Sequence, residues 1–168
     1  MNLKTVTYFV LFITFSVNTF AGGGYSTITS SSTTTENRAY AGLVWTLKEK
    51  FSFVPDATIG VRSLRVKSND NVNGGDMSIR FSFANGFDFD SARISYVGGD
   101  RDILGNIGLG YSLTNSSMLG TFAIQGAYSR IGTDFEFSNK NFVPYIEPLT
   151  VDKPKKVSPK VTLIPWVC

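Results

Sequence analysis

The segment Met77-Ser-Ile-Arg-Phe-Ser-Phe83 alternates strictly between apolar and polar side chains. Apolar residues stand at the four odd positions, and Ser78, Arg80 and Ser82 stand at the even ones. A period of two places neighbouring side chains on opposite faces of a β-strand. The segment therefore predicts a strand with one apolar and one polar face.

The same alternation recurs on both sides of this segment. It covers residues 39–47, 91–96, 106–113 and 121–129. Turn-forming residues separate the runs, at Asn69–Gly75, Asn85-Gly86, Gly98–Asp100 and Thr114–Ser117. Short strands with turns at near-regular spacing predict an all-β, antiparallel sandwich or barrel.

The composition of the polar face favours the barrel. No lysine occurs from Ser68 to Asn139, and the polar positions hold mainly Gly, Ser, Ala, Asn and Gln with a few arginines. Small polar residues suit the narrow interior of a small barrel. The other face carries Leu, Ile, Phe, Trp and Tyr, as a lipid-facing band with aromatic girdles does. A soluble β-sandwich is the alternative.

The alternating segments Gly105–Ser112 and Gly120–Tyr128 resemble the strands of small bacterial outer-membrane barrels of the OmpA/OmpX-like class. The resemblance covers roughly residues 38–151. It implies an up-and-down barrel of about eight strands in the outer membrane, with membrane lipid as its partner. It also implies a structural, adhesive or surface-interaction role, with a protein or glycan partner left open. The alternative function is a soluble secreted or periplasmic β-sandwich that binds a protein or glycan.

The N-terminal residues have the pattern of an export signal. Lys4 precedes the apolar run Tyr8–Val17, and the small residues Thr19 and Ala21 stand where a signal peptidase reads them. The run is about half the roughly 20 residues that a spanning helix needs. We expect a signal peptide at 1–21, a Ser/Thr-rich leader at 22–37, a barrel at 38–151 and a Pro/Lys-rich tail at 152–168.

Composition argues against several classes of function. The chain has no histidine, which excludes Ser-His-Asp and Cys-His catalysis, and its one cysteine, Cys168, excludes an internal disulfide. Basic and acidic residues number 16 and 13, too even a balance for a nucleic-acid footprint. We expect a non-enzymatic protein with no cofactor and no metal.

Charged residues within the strand region predict a network inside the barrel. We assign to it four arginines and two pairs of aspartates: Arg62, Arg65, Arg80, Arg93, Asp88, Asp90, Asp100 and Asp102. Arginines facing a narrow interior need carboxylate partners when they lose water. Each aspartate pair could instead form an acid–base dyad, since residues two apart on a strand share a face.

The loop Asn69–Asp76 places side-chain oxygens at alternate positions before Gly74, like the first half of a calcium loop. Its twelfth position is Arg80, where an EF-hand requires a bidentate glutamate. We therefore interpret it as a polar hairpin loop.

Overall fold

The computed structural model describes residues 25–47, 53–83 and 86–165. The predicted signal peptide at 1–21 and Cys168 lie outside these residues. The described residues form ten β-strands: β1 (Tyr25–Ser30), β2 (Thr33–Thr46), β3 (Asp56–Lys67), β4 (Asn71–Ser82), β5 (Asp88–Asp100), β6 (Leu104–Ser112), β7 (Ser117–Gly126), β8 (Ser129–Glu136), β9 (Asn141–Pro148) and β10 (Lys160–Pro165).

Strands β2 to β9 form a closed barrel in which each strand pairs antiparallel with the next. The barrel closes where β2 meets β9, with Trp45 opposite Ile146 and Thr46 opposite Tyr145. The up-and-down, eight-stranded barrel is thus confirmed, and the sandwich alternative is wrong. Strands β1 and β10 form a separate two-stranded sheet.

Alternation along each strand separates an interior face from an outward face. On β5, Ser91, Arg93 and Val97 are buried, whereas Ile94 and Tyr96 between them are exposed. Glycines on the interior face make room for large side chains opposite them. A Cβ on Gly60, for example, would collide with the ring of Tyr40. The small interior residues that favoured a barrel therefore allow its interior to fill.

The two ends of the barrel differ in their connections. At the terminal end, where β2 begins and β9 finishes, the strands are joined by short turns at 68–70, 101–103 and 127–128. The connections at the loop end are residues 47–55, 83–87, 113–116 and 137–140. Asp70, Ser116, Tyr128 and Lys140 adopt positive φ in four of these turns, a conformation that tight reversals require.

Two predicted boundaries were wrong. The barrel begins at Thr33 rather than at Arg38, so the end of the predicted leader belongs to β2. Residues 71–75 were predicted to belong to a turn and a polar hairpin loop but form the start of β4, which pairs with β3 on one side and β5 on the other. The hairpin needs only residues 68–70, and the longer polar run continues the sheet.

Candidate functional site

The barrel interior holds a hydrogen-bonded group centred on Arg130. Its Nη2 donates to Asp76 Oδ2 at 3.1 Å and to Gln125 Oε1 at 3.0 Å, and its Nη1 donates to Glu147 Oε2 at 3.4 Å. The Tyr40 hydroxyl donates to Asp76 Oδ1 at 2.7 Å. All five side chains are at least nine-tenths buried. The group spans the lumen, because its members come from β2, β4, β7, β8 and β9.

The strand register explains how Arg130 reaches these partners. It stands opposite Glu147 on β9 and opposite Gln125 on β7, so both neighbours project inward beside it. Tyr40 approaches from β2, the strand beyond β9, and Asp76 approaches from β4 on the far wall of the barrel. Its guanidinium is thereby held in one orientation by partners on both sides of the lumen.

A second interior group is centred on Asp134. Its Oδ2 accepts from Arg93 Nη2 at 2.8 Å and from Arg80 Nη1 at 3.4 Å. The Arg80 guanidinium also lies over the Tyr145 ring, 4.9 Å from its centroid. The Tyr145 hydroxyl is 3.3 Å from that of Thr121. One carboxylate thus holds two arginines from adjacent strands.

Together the two groups form a neutral belt. Three arginines, Arg80, Arg93 and Arg130, face three carboxylates, which are Asp76, Asp134 and Glu147. A buried charge without a partner is strongly destabilising, whereas a hydrogen-bonded ion pair is tolerated. Each of these six groups has an ion-pair partner, although Arg80 Nε, Arg93 Nε and Asp134 Oδ1 have no hydrogen-bond partner among the described residues. The belt therefore allows charged side chains to fill the barrel where a smaller residue would leave a void.

An apolar cluster fills the interior nearer the terminal end. It consists of buried side chains from β3 to β6: Leu64, Val66, Val72, Val97 and Leu104. Val157, from the segment after the barrel, packs against it. The interior between β3 and β6 is thus apolar towards the terminal end.

Residues 151–158, which we call the strap, dock on the terminal end, with Val151 in a cluster with Tyr40 and Leu149 and Val157 against the apolar cluster. Val151 and Pro154 are buried. The carbonyl of Asp152 accepts from Arg62 Nη2 at 2.6 Å, and the Lys155 amide donates to Glu36 Oε2 at 3.2 Å. The predicted exposed tail is in this part a docked segment that covers the terminal end.

An exposed ion pair also holds the strap. Lys153 Nζ lies 2.8 Å from Asp102 Oδ1, in the turn between β5 and β6. The Lys153 ammonium donates a hydrogen bond to this carboxylate and so lowers the pKa of Asp102 below its ordinary value. Both side chains remain largely open to solvent.

The predicted charge network is only partly the one that forms. The structure buries Arg62, Arg80 and Arg93 in the interior, and Arg80 and Arg93 meet at Asp134. The other predicted members lie elsewhere. Arg65, Asp88, Asp100 and Asp102 are exposed, and Asp90 is half-buried near the loop end.

Two of these aspartates lie at a β-bulge near the loop end. The pairing of β4 with β5 shifts between Arg80 and Phe81 and leaves Asp90 without a partner on β4, and Asp88 beyond it is exposed. Asp90 accepts from the hydroxyls of Ser91 and Thr114 instead. Asp100 and Asp102 lie at a turn, where Asp100 accepts from the Asp102 amide at 3.1 Å.

The residues missed by sequence reasoning lie mainly on β8 and β9. Arg130, Asp134 and Glu136 alternate with apolar residues in Ser129–Phe137, the same signal that identified the other strands. Glu147 stands between the two prolines of β9, which obscure its pattern. A closed barrel brings these late strands against the early ones, which a search among neighbours in sequence does not reveal.

The outward face of the barrel is apolar, in contrast to the interior, which contains buried charged side chains. The apolar residues of the alternating segments lie on this face and are exposed or half-exposed: Leu43, Trp45, Ile79, Phe81, Ile94, Ile107, Leu109, Phe122 and Ile124. Tyr128, which alternation would place on the same face, is exposed in the turn between β7 and β8. Ile94 is 60% exposed and Ile107 is 61% exposed. Isoleucine is among the residues most often fully buried in soluble proteins, so exposure of this size is unusual for it.

Comparison with known proteins finds no matching family model, no matching curated protein and no matching solved structure. Within the described ranges, no cluster of His, Cys, Asp and Glu could hold a metal ion. The same ranges contain no helix of the length and apolarity that crossing a bilayer requires.

Proposed function

We propose that this protein is an integral barrel of a bacterial outer membrane, of the small OmpA/OmpX-like kind, with a structural or surface-interaction role and no enzymatic activity. The main evidence for the proposal is that burial is reversed relative to a soluble β-protein. Large apolar side chains point outward and are exposed, whereas arginines and carboxylates are buried.

In water, such a distribution is unfavourable on the outward side. Exposed apolar patches larger than a few hundred Å² are rare on soluble monomers and mark an interaction surface. Here the patch follows successive strands around the barrel, including Ile59 on β3, Ile94 on β5, Phe122 on β7 and Ile131 on β8. A surface that surrounds the whole barrel fits a lipid bilayer better than it fits a single protein partner.

Closure of the sheet supports the same environment. In hydrocarbon every backbone polar group needs an internal partner, and closure gives every strand of this barrel a neighbouring strand on both sides. Strands β2 to β7 have 9 to 14 residues, against the roughly 9–11 that a tilted membrane strand needs.

Aromatic rings gather at the loop end of the outward face. Phe81 stacks on Phe87 with centroids 5.1 Å apart, and Phe135 lies 4.8 Å from Phe142. Outer-membrane barrels place aromatic girdles at the membrane–water interfaces. The rings support placing one interface at this level.

The filled interior favours a structural role over porin-like conduction. The neutral belt crosses the lumen, and the apolar cluster with its strap covers the terminal end. A water-filled channel is typical of much wider barrels of 16–18 strands. We expect this barrel to act as a membrane-anchored body that presents its loop end.

Membrane extraction tests the proposal. Envelopes from cells that express the full chain are washed with alkaline carbonate or with urea, and the protein is followed by immunoblot. We expect it to stay in the pellet and to enter solution only with detergent. Release by either wash would contradict the proposal. A periplasmic binding protein as control should be released completely.

A further inference from the structure

The terminal end carries a connected set of exposed basic side chains. Lys155, Lys156 and Lys160 line a surface depression together with Thr34 and Thr35 at the start of β2. On the adjacent strand β3, two more basic residues stand opposite Thr35 and Thr33. We call the five residues the basic rim: Arg65, Lys67, Lys155, Lys156 and Lys160.

The positive charge of the basic rim is not neutralised by ion pairs with other described residues. All five side chains are exposed, and none forms an ion pair with another described residue. Three of the carboxylates at this end are already engaged, since Glu36 pairs with Arg38, Asp70 pairs with Arg101 and Asp102 pairs with Lys153. The charge of the rim is therefore available to an external anion.

The basic rim also lies at a fixed distance from the apolar band. Arg65 follows the outward residue Val61, which is 57% exposed, by four positions on β3. That separation is about 13 Å along an extended strand. A phospholipid headgroup occupies this position relative to its acyl chains when the band is in the hydrocarbon.

We infer that the basic rim binds the headgroups of anionic phospholipids and so sets the terminal end against the leaflet that contains them. This inference rests on the proposed membrane function. Basic residues near a membrane surface each contribute about 1 kcal/mol of attraction to anionic lipid.

The opposite end lacks this chemistry in the part that the structure describes. Among the described residues of the loop-end connections, Lys140 is the one basic side chain, and Asp88, Asp90 and Glu136 lie on the adjoining strand ends. Lys140 therefore provides a control position for the basic rim.

Lipid selectivity measured by electron paramagnetic resonance tests the inference. The full chain is reconstituted in phosphatidylcholine vesicles that contain trace spin-labelled phosphatidylglycerol or spin-labelled phosphatidylcholine. The fraction of each label immobilised at the barrel gives their relative affinity. We expect about a fivefold preference for the anionic label at low ionic strength. The preference should fall in 0.5 M salt, which reduces the Debye length to roughly 4 Å.

Variants of the basic residues test which of them produce the preference for the anionic lipid. The triple variant Lys155→Gln/Lys156→Gln/Lys160→Gln should lose most of it, and Lys140→Gln should keep it. Arg65→Gln/Lys67→Gln, which leaves the strap intact, should lose part of it and serves if the triple variant does not fold.

Three results would contradict the inference. The wild type could bind both labels equally, the rim variants could match the wild type, or Lys140→Gln could lose as much as the triple variant. Immobilisation of neither label would instead show that the barrel is outside the bilayer, and would overturn the proposed function itself.

Discussion

Arg93 and Ile94 are neighbours on β5, yet the arginine is 8% exposed and the isoleucine 60%. In a soluble β-protein these values would be reversed. The comparison shows that alternation alone identifies two faces without saying which one is inside. The assignment depends on what each face contains, and here the small polar residues and paired arginines fit the enclosed side.

The largest expected effect comes from removing the centre of the belt. Arg130→Met leaves Asp76 and Glu147 buried without the cation that they bind, and we expect a loss of about 3–5 kcal/mol in the free energy of unfolding. The measurement is the temperature at which the folded band converts to the unfolded band in a heat-modifiability gel.

Arg65→Met is the matched control for Arg130→Met. Its side chain is exposed at the end of β3, so the change should cost at most about 1 kcal/mol. Equal melting of both variants would show that the interior belt does not stabilise the barrel.

A charge on the outward face should have the next largest effect. Ile107→Arg places a cation in the middle of the apolar band and should cost about 2–4 kcal/mol in a bilayer. Asn73→Arg, outward on β4 but close to the terminal end, should cost about 0–1 kcal/mol. Urea unfolding in lipid vesicles measures both. A tolerated Ile107→Arg would argue against contact with lipid at this position.

Arg80 and Arg93 share the carboxylate of Asp134, so removing Arg93 should reduce stability less than removing Arg130. Arg93→Met removes the 2.8 Å bond to Asp134, but Arg80 remains within 3.4 Å of the same oxygen. We expect a loss of about 2 kcal/mol, close to that of one hydrogen bond to a charged group. The same gel shift should rank Arg93→Met between wild type and Arg130→Met. Melting at or below that of Arg130→Met would show that Arg80 gives no compensation.

The sequence was sufficient for the architecture and for the outward band. Strict alternation in Met77–Phe83 predicted β4, and the lysine-free stretch distinguished a barrel from a sandwich. Both signals are local. They follow from the backbone period and from what each face contacts, so they do not depend on which strands become neighbours.

Which charged side chains meet inside the barrel depends on how the barrel closes. Partners chosen because they are near in sequence were therefore wrong. Arg130 and Asp76 are 54 residues apart, yet their side chains meet across the lumen. The strap was missed for another reason. It docks through the backbone carbonyl of Asp152 and through Val157, whereas its prolines and lysines are typical of an exposed linker.

The smallest expected effect is a weaker docking of the strap at low pH. The Lys153 ammonium lowers the pKa of Asp102, so their pair stabilises the docked strap above the unfolded pKa of about 3.9. This contribution is lost as the pH falls through the lower folded pKa. We expect the rate of proteolysis at the strap, measured at each pH with a protease active at that pH, to approach the rate of Asp102→Asn below about pH 4.

Asp102→Asn is the matched variant for this prediction. It lacks the ion pair at every pH and should show the faster cleavage already at neutral pH. An unchanged rate in Asp102→Asn would mean that the ion pair does not hold the strap.

The most direct test of the reversed faces uses Trp45, an outward residue of β2 next to the buried Val44. The chain has two tryptophans, so Trp166→Phe makes Trp45 the only one. Its fluorescence is recorded in vesicles of phosphatidylcholine brominated near the headgroup end of the acyl chains, and separately with aqueous iodide. We predict strong quenching by the brominated lipid and weak quenching by iodide. Strong quenching by iodide with none from the lipid would show that the apolar face is in water, and would contradict the membrane-embedded barrel.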